Sequence, residues 1–124
     1  MKIRTGTDII EISRVKSAIE DTDKKFCERV YTSREIDYCE SRNAQKYQHY
    51  AARFAAKEAV FKALSATLNS KYEIEWKDIE INNDAKGRPF VILSEKFMEA
   101  IENIDIRISQ CKEYAVANVV LIER

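Results

Sequence analysis

From Gln45 to Leu68 the chain runs without a glycine or proline and is rich in alanine, which predicts one long helix around which the remaining elements must pack. With Arg53 as origin and about 100° per residue, Lys57 falls at about 40°, Glu58 at about 140° and Lys62 at about 180°. Phe54, Phe61, Val60, Leu64 and the alanines fill the rest of the circumference, so apolar residues surround the helix. That is the pattern of a buried helix. A charge on such a helix needs a partner, because an unpaired ion away from water is costly.

The flanking sequence reads as an α+β domain. Residues 2 to 12 alternate and are rich in Ile and Thr, predicting a strand with Arg4, Gly6, Asp8, Ile10 and Ile12 on one face and Ile3, Thr5, Thr7 and Ile9 on the other. Ser13 is the expected cap of a short helix holding Val15, Ala18 and Ile19, with another turn around Phe26 and Val30. Thr32 and Glu35 fit a capping box opening a helix to about Glu40. Ile79 to Asn82 and Phe90 to Leu93 read as a hairpin, and Ser94 to Asn103 as a short helix with Phe97, Met98 and Ile101 facing inward. Residues 104 to 109 and 114 to 122 form a second hairpin, with Tyr114, Val116 and Val119 to Ile122 as core. The expected architecture is a small, mainly antiparallel sheet packed on a long central helix, in a single domain over residues 1–124.

Composition excludes several function classes. Two glycines, Gly6 and Gly87, cannot write a dinucleotide fingerprint, a phosphate loop or a nucleophile elbow. One histidine, His49, removes the two-histidine zinc motifs, and its place on the helix opposite Glu58 marks it as a structural or surface residue rather than a catalytic one. Lys plus Arg (21) balances Asp plus Glu (21), which argues against a generic nucleic-acid or membrane-surface binder. Three cysteines, Cys27, Cys39 and Cys111, lack metal spacing and read as small fillers in a reduced, cytoplasmic setting. No apolar run approaches the roughly 20 residues that span a bilayer, and the first ten residues lack a signal-peptide pattern.

The chemistry therefore rests on a few charges. Glu58 and Lys62 stand at i,i+4, which on a surface is an ion pair of little weight. Among Phe54 and Ala55, however, a carboxylate calls for a further positive partner, and Asp8 on the core-facing side of the first strand poses the same problem. If that strand packs beside the helix, Asp8 and Glu58 together could hold a hard divalent cation with an open coordination shell, which Mg²⁺ completes with water and substrate phosphate. Lys62 and Arg53 would then neutralise phosphate charge, and the chemistry indicated is phosphoryl-type transfer.

These residues resemble a known family. Gly6-Thr7-Asp8-Ile9-Ile10-Glu11-Ile12 with Arg14, and Arg53-Phe54-Ala55-Ala56-Lys57-Glu58-Ala59 with Lys62, are similar to the motifs of the holo-acyl-carrier-protein synthases, within the 4′-phosphopantetheinyl transferase superfamily. Gly87-Arg88-Pro89 and Lys112 to Ala117 add to the likeness, which covers nearly the whole chain. The resemblance implies the 4′-phosphopantetheinyl transferase fold and transfer of phosphopantetheine from coenzyme A to a serine of apo acyl carrier protein, releasing adenosine 3′,5′-bisphosphate. It implies Mg²⁺ on Asp8 and Glu58, Lys62 on the pyrophosphate, and Glu58, directly or through a bound water, as candidate base. It also implies a homotrimer in which a neighbour offers Gly87, Arg88, Pro89, Ser109 and Gln110 to the nucleotide. Arg14, Lys25, Phe26 and Arg29 stand where the family meets its acidic carrier protein.

The chain departs from the family pattern twice. Ser65-Ala66-Thr67 stands where the family has Gly-x-Gly after the lysine, and Ser109-Gln110-Cys111 where it has a histidine between hydroxyl residues. Gln110 can hydrogen-bond a phosphate or ribose but cannot take a proton near neutral pH. The sequence therefore leaves two readings, an active transferase and a catalytically impaired relative that binds carrier protein or coenzyme A. A domain with purely structural ion pairs is the third.

Overall fold

A computed structural model describes residues 1–68 and 74–124. The order of elements is β1 (Lys2–Glu11), α1 (Ile12–Asp21), α2 (Lys25–Val30), α3 (Ser33–Glu40), α4 (Lys46–Thr67), β2 (Ile79–Asn83), β3 (Pro89–Leu93), α5 (Glu95–Met98), β4 (Ile101–Gln110) and β5 (Tyr114–Glu123). β5 lies between β1 and β4 in a three-stranded antiparallel sheet, and β2 and β3 form a separate antiparallel pair. Tyr72, which as an aromatic is expected to be a core or interface residue, lies outside the described residues.

α4 is the buried helix its sequence predicts, with Ala55, Ala56, Ala59, Val60, Ala63 and Leu64 fully enclosed. It packs against the inner face of the three-stranded sheet, where Ala115, Ala117, Val119 and Leu121 of β5 and Ile106 of β4 are buried. Small residues on both sides let helix and sheet approach closely. The limit is reached at Gly6, where a Cβ would stand 1.9 Å from the Ala59 carbonyl oxygen. Asp8, on the same face of β1 two residues on, is thereby brought against the helix.

Four local expectations are corrected. The cap of α1 is Glu11, not Ser13: β1 runs straight into the helix, and the Ile12 amide donates to the Glu113 carbonyl at 2.8 Å instead of to a side chain. α5 stops at Met98, and Ile101 begins β4 because pairing with β5 outweighs the helical spacing of Phe97 and Ile101. Met98, Tyr114 and Val120 are exposed, since Met98 lies on the outer side of one short turn and the other two alternate away from α4. Cys111 is exposed in the β4–β5 turn, whereas Cys27 and Cys39 are buried as expected.

The capping box of α3 is present. The Glu35 amide donates to Thr32 Oγ1 at 3.3 Å and the Thr32 amide to Glu35 Oε1 at 2.8 Å, while Thr32 Oγ1 donates to Glu80 Oε1 at 2.6 Å. Thr32→Ala removes both hydroxyl bonds, and a loss of about 1–2 kcal/mol is expected, read as a lower urea midpoint at unchanged slope.

Candidate active site

Asp8 and Lys62 meet across the β1–α4 contact. The Lys62 ammonium donates to Asp8 Oδ1 at 3.2 Å and to the Thr7 carbonyl at 2.9 Å, so it is turned toward the strand rather than along its own helix toward Glu58. Asp8 keeps only 17% of its side chain exposed, against 50% for Lys62. Glu58 is half-buried on α4. Burial pushes its carboxyl above the ordinary range, the Asp8 charge pushes in the same direction, and the Lys62 ammonium only partly opposes them. The structure thus brings Asp8, Glu58 and Lys62 together.

This grouping fits a hard cation. Two carboxylates repel across a site where one half-exposed ammonium offsets them, and both offer oxygen, the donor that Mg²⁺ takes. Among the described residues no three His, Cys, Asp or Glu side chains gather as a closed metal cage. A cation on this pair would keep positions open for substrate oxygens. Beside it lies a cavity of about 200 Å³, lined by Lys57, Glu58, Phe61, Ile74, Glu75, Trp76 and Ile79.

Arg53 stands elsewhere. It is 3% exposed, lies with its guanidinium 4.0 Å from the centre of the Tyr38 ring, and donates through Nη2 to Asn83 Oδ1. The Asn83 amide in turn donates to the Gly87 carbonyl at 2.9 Å, so Arg53 braces the β2–β3 turn. That turn carries Gly87 at φ +81 with Arg88 exposed beside it. His49 packs edge-on against Tyr38 at 5.5 Å, and burial together with Arg53 and Arg42 lowers its pKa, in keeping with a structural role. Ser109 and Gln110 line a shallow depression with Ile9, Cys111, Tyr114 and Val116 at the end of the sheet. Within one chain neither they nor Gly87, Arg88 and Pro89 line the cavity beside Glu58.

The sequence model of the 4′-phosphopantetheinyl transferase superfamily matches residues 4–119. The chain belongs to that superfamily. It is 48% identical to a holo-[acyl-carrier-protein] synthase of Ruminiclostridium cellulolyticum, over 98% of this chain and 92% of that protein. Among solved structures it resembles the Helicobacter pylori holo-[acyl-carrier-protein] synthase in complex with coenzyme A, with a TM-score of 0.83 and 32% identity over 95% of this chain and 99% of that one. It also resembles the Bacillus anthracis holo-(acyl-carrier-protein) synthase in complex with CoA (3′,5′-ADP), with a TM-score of 0.77 and 36% identity over 97% and 95% of the two chains.

Seen as a phosphopantetheinyl transferase, the chain places its basic residues on two helices. Arg14 of α1 and Lys25 and Arg29 of α2 are exposed. Phe26 is half-buried, stacked on Phe54 at 5.9 Å, and Phe54 stacks on Trp76 at 5.2 Å. Trp76 lines both the cavity beside Glu58 and a second one, of about 370 Å³, that includes Arg29. An aromatic row therefore joins the basic surface of α2 to the wall of the carboxylate site.

Sequence reasoning missed the most buried charges of the transferase. The Lys57 ammonium donates to Glu35 Oε1 at 2.6 Å, with both side chains 0% exposed, and the Ile81 amide donates to Glu35 Oε2 at 2.9 Å. Burial pulls the Lys57 ammonium down while Glu35 opposes it. The signal was available in part: Lys57 lies on a helix apolar all round and so requires a buried anion. Which anion depends on a contact between α3 and α4 that no local pattern encodes.

Proposed function

We propose that this protein transfers 4′-phosphopantetheine from coenzyme A to a serine of apo acyl carrier protein and releases adenosine 3′,5′-bisphosphate, the whole chain acting as one catalytic domain. The observation that carries this reading is the meeting of Asp8, Glu58 and Lys62 at the β1–α4 contact of a chain from this superfamily. Asp8 and Glu58 are the residues that hold Mg²⁺, which when bound supplies positive charge to the transferring phosphate. Lys62, with an exposed ammonium beside Asp8, neutralises the pyrophosphate of coenzyme A. Glu58, directly or through a bound water, is the proton acceptor for the carrier serine, a role supported by its half-buried carboxyl at the edge of the cavity.

The nucleotide is gripped by a neighbouring copy. Gly87, Arg88, Pro89, Ser109 and Gln110 all lie off the cavity beside Glu58, and the outer face of the sheet carries exposed Ile3, Ile9, Tyr114 and Val120, an apolar surface suited to a homotrimer. Arg53 contributes by holding the Gly87 turn through Asn83. Arg14, Lys25, Phe26 and Arg29 receive the acidic carrier protein, whose approach the local basic surface speeds without altering the net charge of zero. In the described residues no helix is long and apolar enough to cross a membrane.

The test is direct. Apo acyl carrier protein incubated with the protein, coenzyme A and Mg²⁺ gains the mass of phosphopantetheine by intact mass spectrometry, and a chelator abolishes the gain. Coenzyme A binding with no adduct under any condition would instead support the impaired, binding-only relative that Gln110 suggests. No binding and no adduct would leave only structural ion pairs.

A further inference from the structure

We propose that the buried Glu35–Lys57 pair is a positioning device for Glu58, setting the rotation of α4 so that the Glu58 carboxylate stays beside Asp8. The inference rests on the transferase reading above.

One carboxylate ties three elements together. Glu35 Oε1 accepts from the Thr32 amide at the start of α3 and from Lys57 on α4, and Oε2 accepts from the Ile81 amide on β2. A capping box needs only the first of these bonds, and surface boxes make it without burial. Stability does not explain the rest, because a fully buried ion pair can often be replaced by apolar groups of similar volume without loss. What an apolar pair lacks is direction. Three hydrogen bonds at 2.6, 2.8 and 2.9 Å fix where Lys57 Nζ sits relative to β2.

Lys57 immediately precedes Glu58, and both line the same cavity. Side-chain ends of a helix stand about 6 Å from its axis, so a rotation of about 10° moves the Glu58 carboxylate by about 1 Å. A misplacement of that size can cost about 100-fold in rate. On its far side α4 is already pinned to β1 by the Gly6–Ala59 contact and by the Lys62 bonds to Thr7 and Asp8. Apolar packing on β5 tolerates small rotations, whereas the Glu35–Lys57 pair adds a directional hydrogen-bonded point on the β2 side. The Lys57 ammonium is spent on Glu35 at 2.6 Å, so the role is mechanical.

Lys57→Arg keeps the charge but moves the cation. In the folded protein kcat is expected to fall about tenfold while KM for coenzyme A moves by less than about threefold. If Lys57→Arg does not fold, Glu35→Leu with Lys57→Met replaces the whole pair by apolar groups and is held to the same thresholds. In a Glu58→Gln background either change is expected to add less than about threefold to the loss already present, because both act through one group. Wild-type kcat in a folded variant, or a full tenfold addition in the Glu58→Gln background, overturns the inference. A readout without turnover is Mn²⁺ binding followed by electron paramagnetic resonance, expected to weaken at least about threefold in Lys57→Arg. Absence of transfer by the wild-type protein refutes the transferase reading alone, and unchanged Mn²⁺ affinity in Lys57→Arg then refutes the positioning role separately.

Discussion

Glu58→Gln is expected to abolish phosphopantetheine transfer while leaving the fold intact or slightly more stable. The side chain keeps its shape and loses its charge, so a cation on the Asp8 side loses one of two ligands and the carrier serine loses its proton acceptor. General-base removal costs about 10²–10⁴ in rate and removal of an electrostatic contact about 10²–10³, so a fall of at least about 10³ in kcat is expected. The effect on stability has the opposite sign. The Glu58 carboxyl is raised in the folded protein by burial and by Asp8, so its contribution to stability is full below the ordinary glutamate value of 4.5 and is lost as pH rises through its folded value. At neutral pH the ionised group is therefore a net cost, which glutamine relieves. Thermal melts at pH 7.5 are expected to show an equal or higher Tm for Glu58→Gln, with the gain vanishing near pH 4. Turnover within tenfold of wild type, or a clear drop in Tm, would contradict this account of the site.

The parts of this arrangement that local chemistry controls were legible in the sequence. Alternation along β1 put Asp8 on the core face, the absence of Gly and Pro predicted α4 to within a residue of Lys46–Thr67, and Thr32 with Glu35 declared a helix start. Contacts between distant segments were not legible. Glu35 reads as a capping residue until α4 and β2 deliver Lys57 and the Ile81 amide to it. Arg53, expected at the phosphate, lies against Tyr38 and donates through Nη2 to Asn83, contacts between distant segments that leave its buried Nε without a hydrogen-bond partner among the described residues. Ile101 has the helical spacing to extend α5, yet its backbone pairs with Glu123 of β5 at the start of β4. Lys62 has the spacing for Glu58 and instead reaches across to β1. In each case the local pattern is sound and a long-range partner outbids it.

Gly6→Ala tests the contact on which the whole site depends. The added Cβ would stand 1.9 Å from the Ala59 carbonyl oxygen, 2.8 Å from its carbon and 3.2 Å from the Ala63 amide nitrogen. All three atoms are backbone of α4, so no side chain can swing aside, and either β1 or the helix must move. Overpacking ordinarily costs about 1–3 kcal/mol; here the obstacle is rigid, and a loss above about 3 kcal/mol is expected by urea denaturation. Gly87→Ala is the informative contrast. Gly87 has φ +81 and open space around it, so alanine there meets only backbone strain, worth about 1–2 kcal/mol, and leaves α4 untouched. The two substitutions also separate in function. Where some Gly6→Ala protein still folds, β1 has been pushed off the helix, carrying Asp8 away from Glu58 and breaking the Lys62 bonds to Thr7 and Asp8. Transfer per folded molecule is then expected to fall at least about 100-fold, the scale of a misplaced reacting group. A stable Gly6→Ala protein with normal turnover would mean that β1 and α4 need not touch for Asp8 and Glu58 to act together.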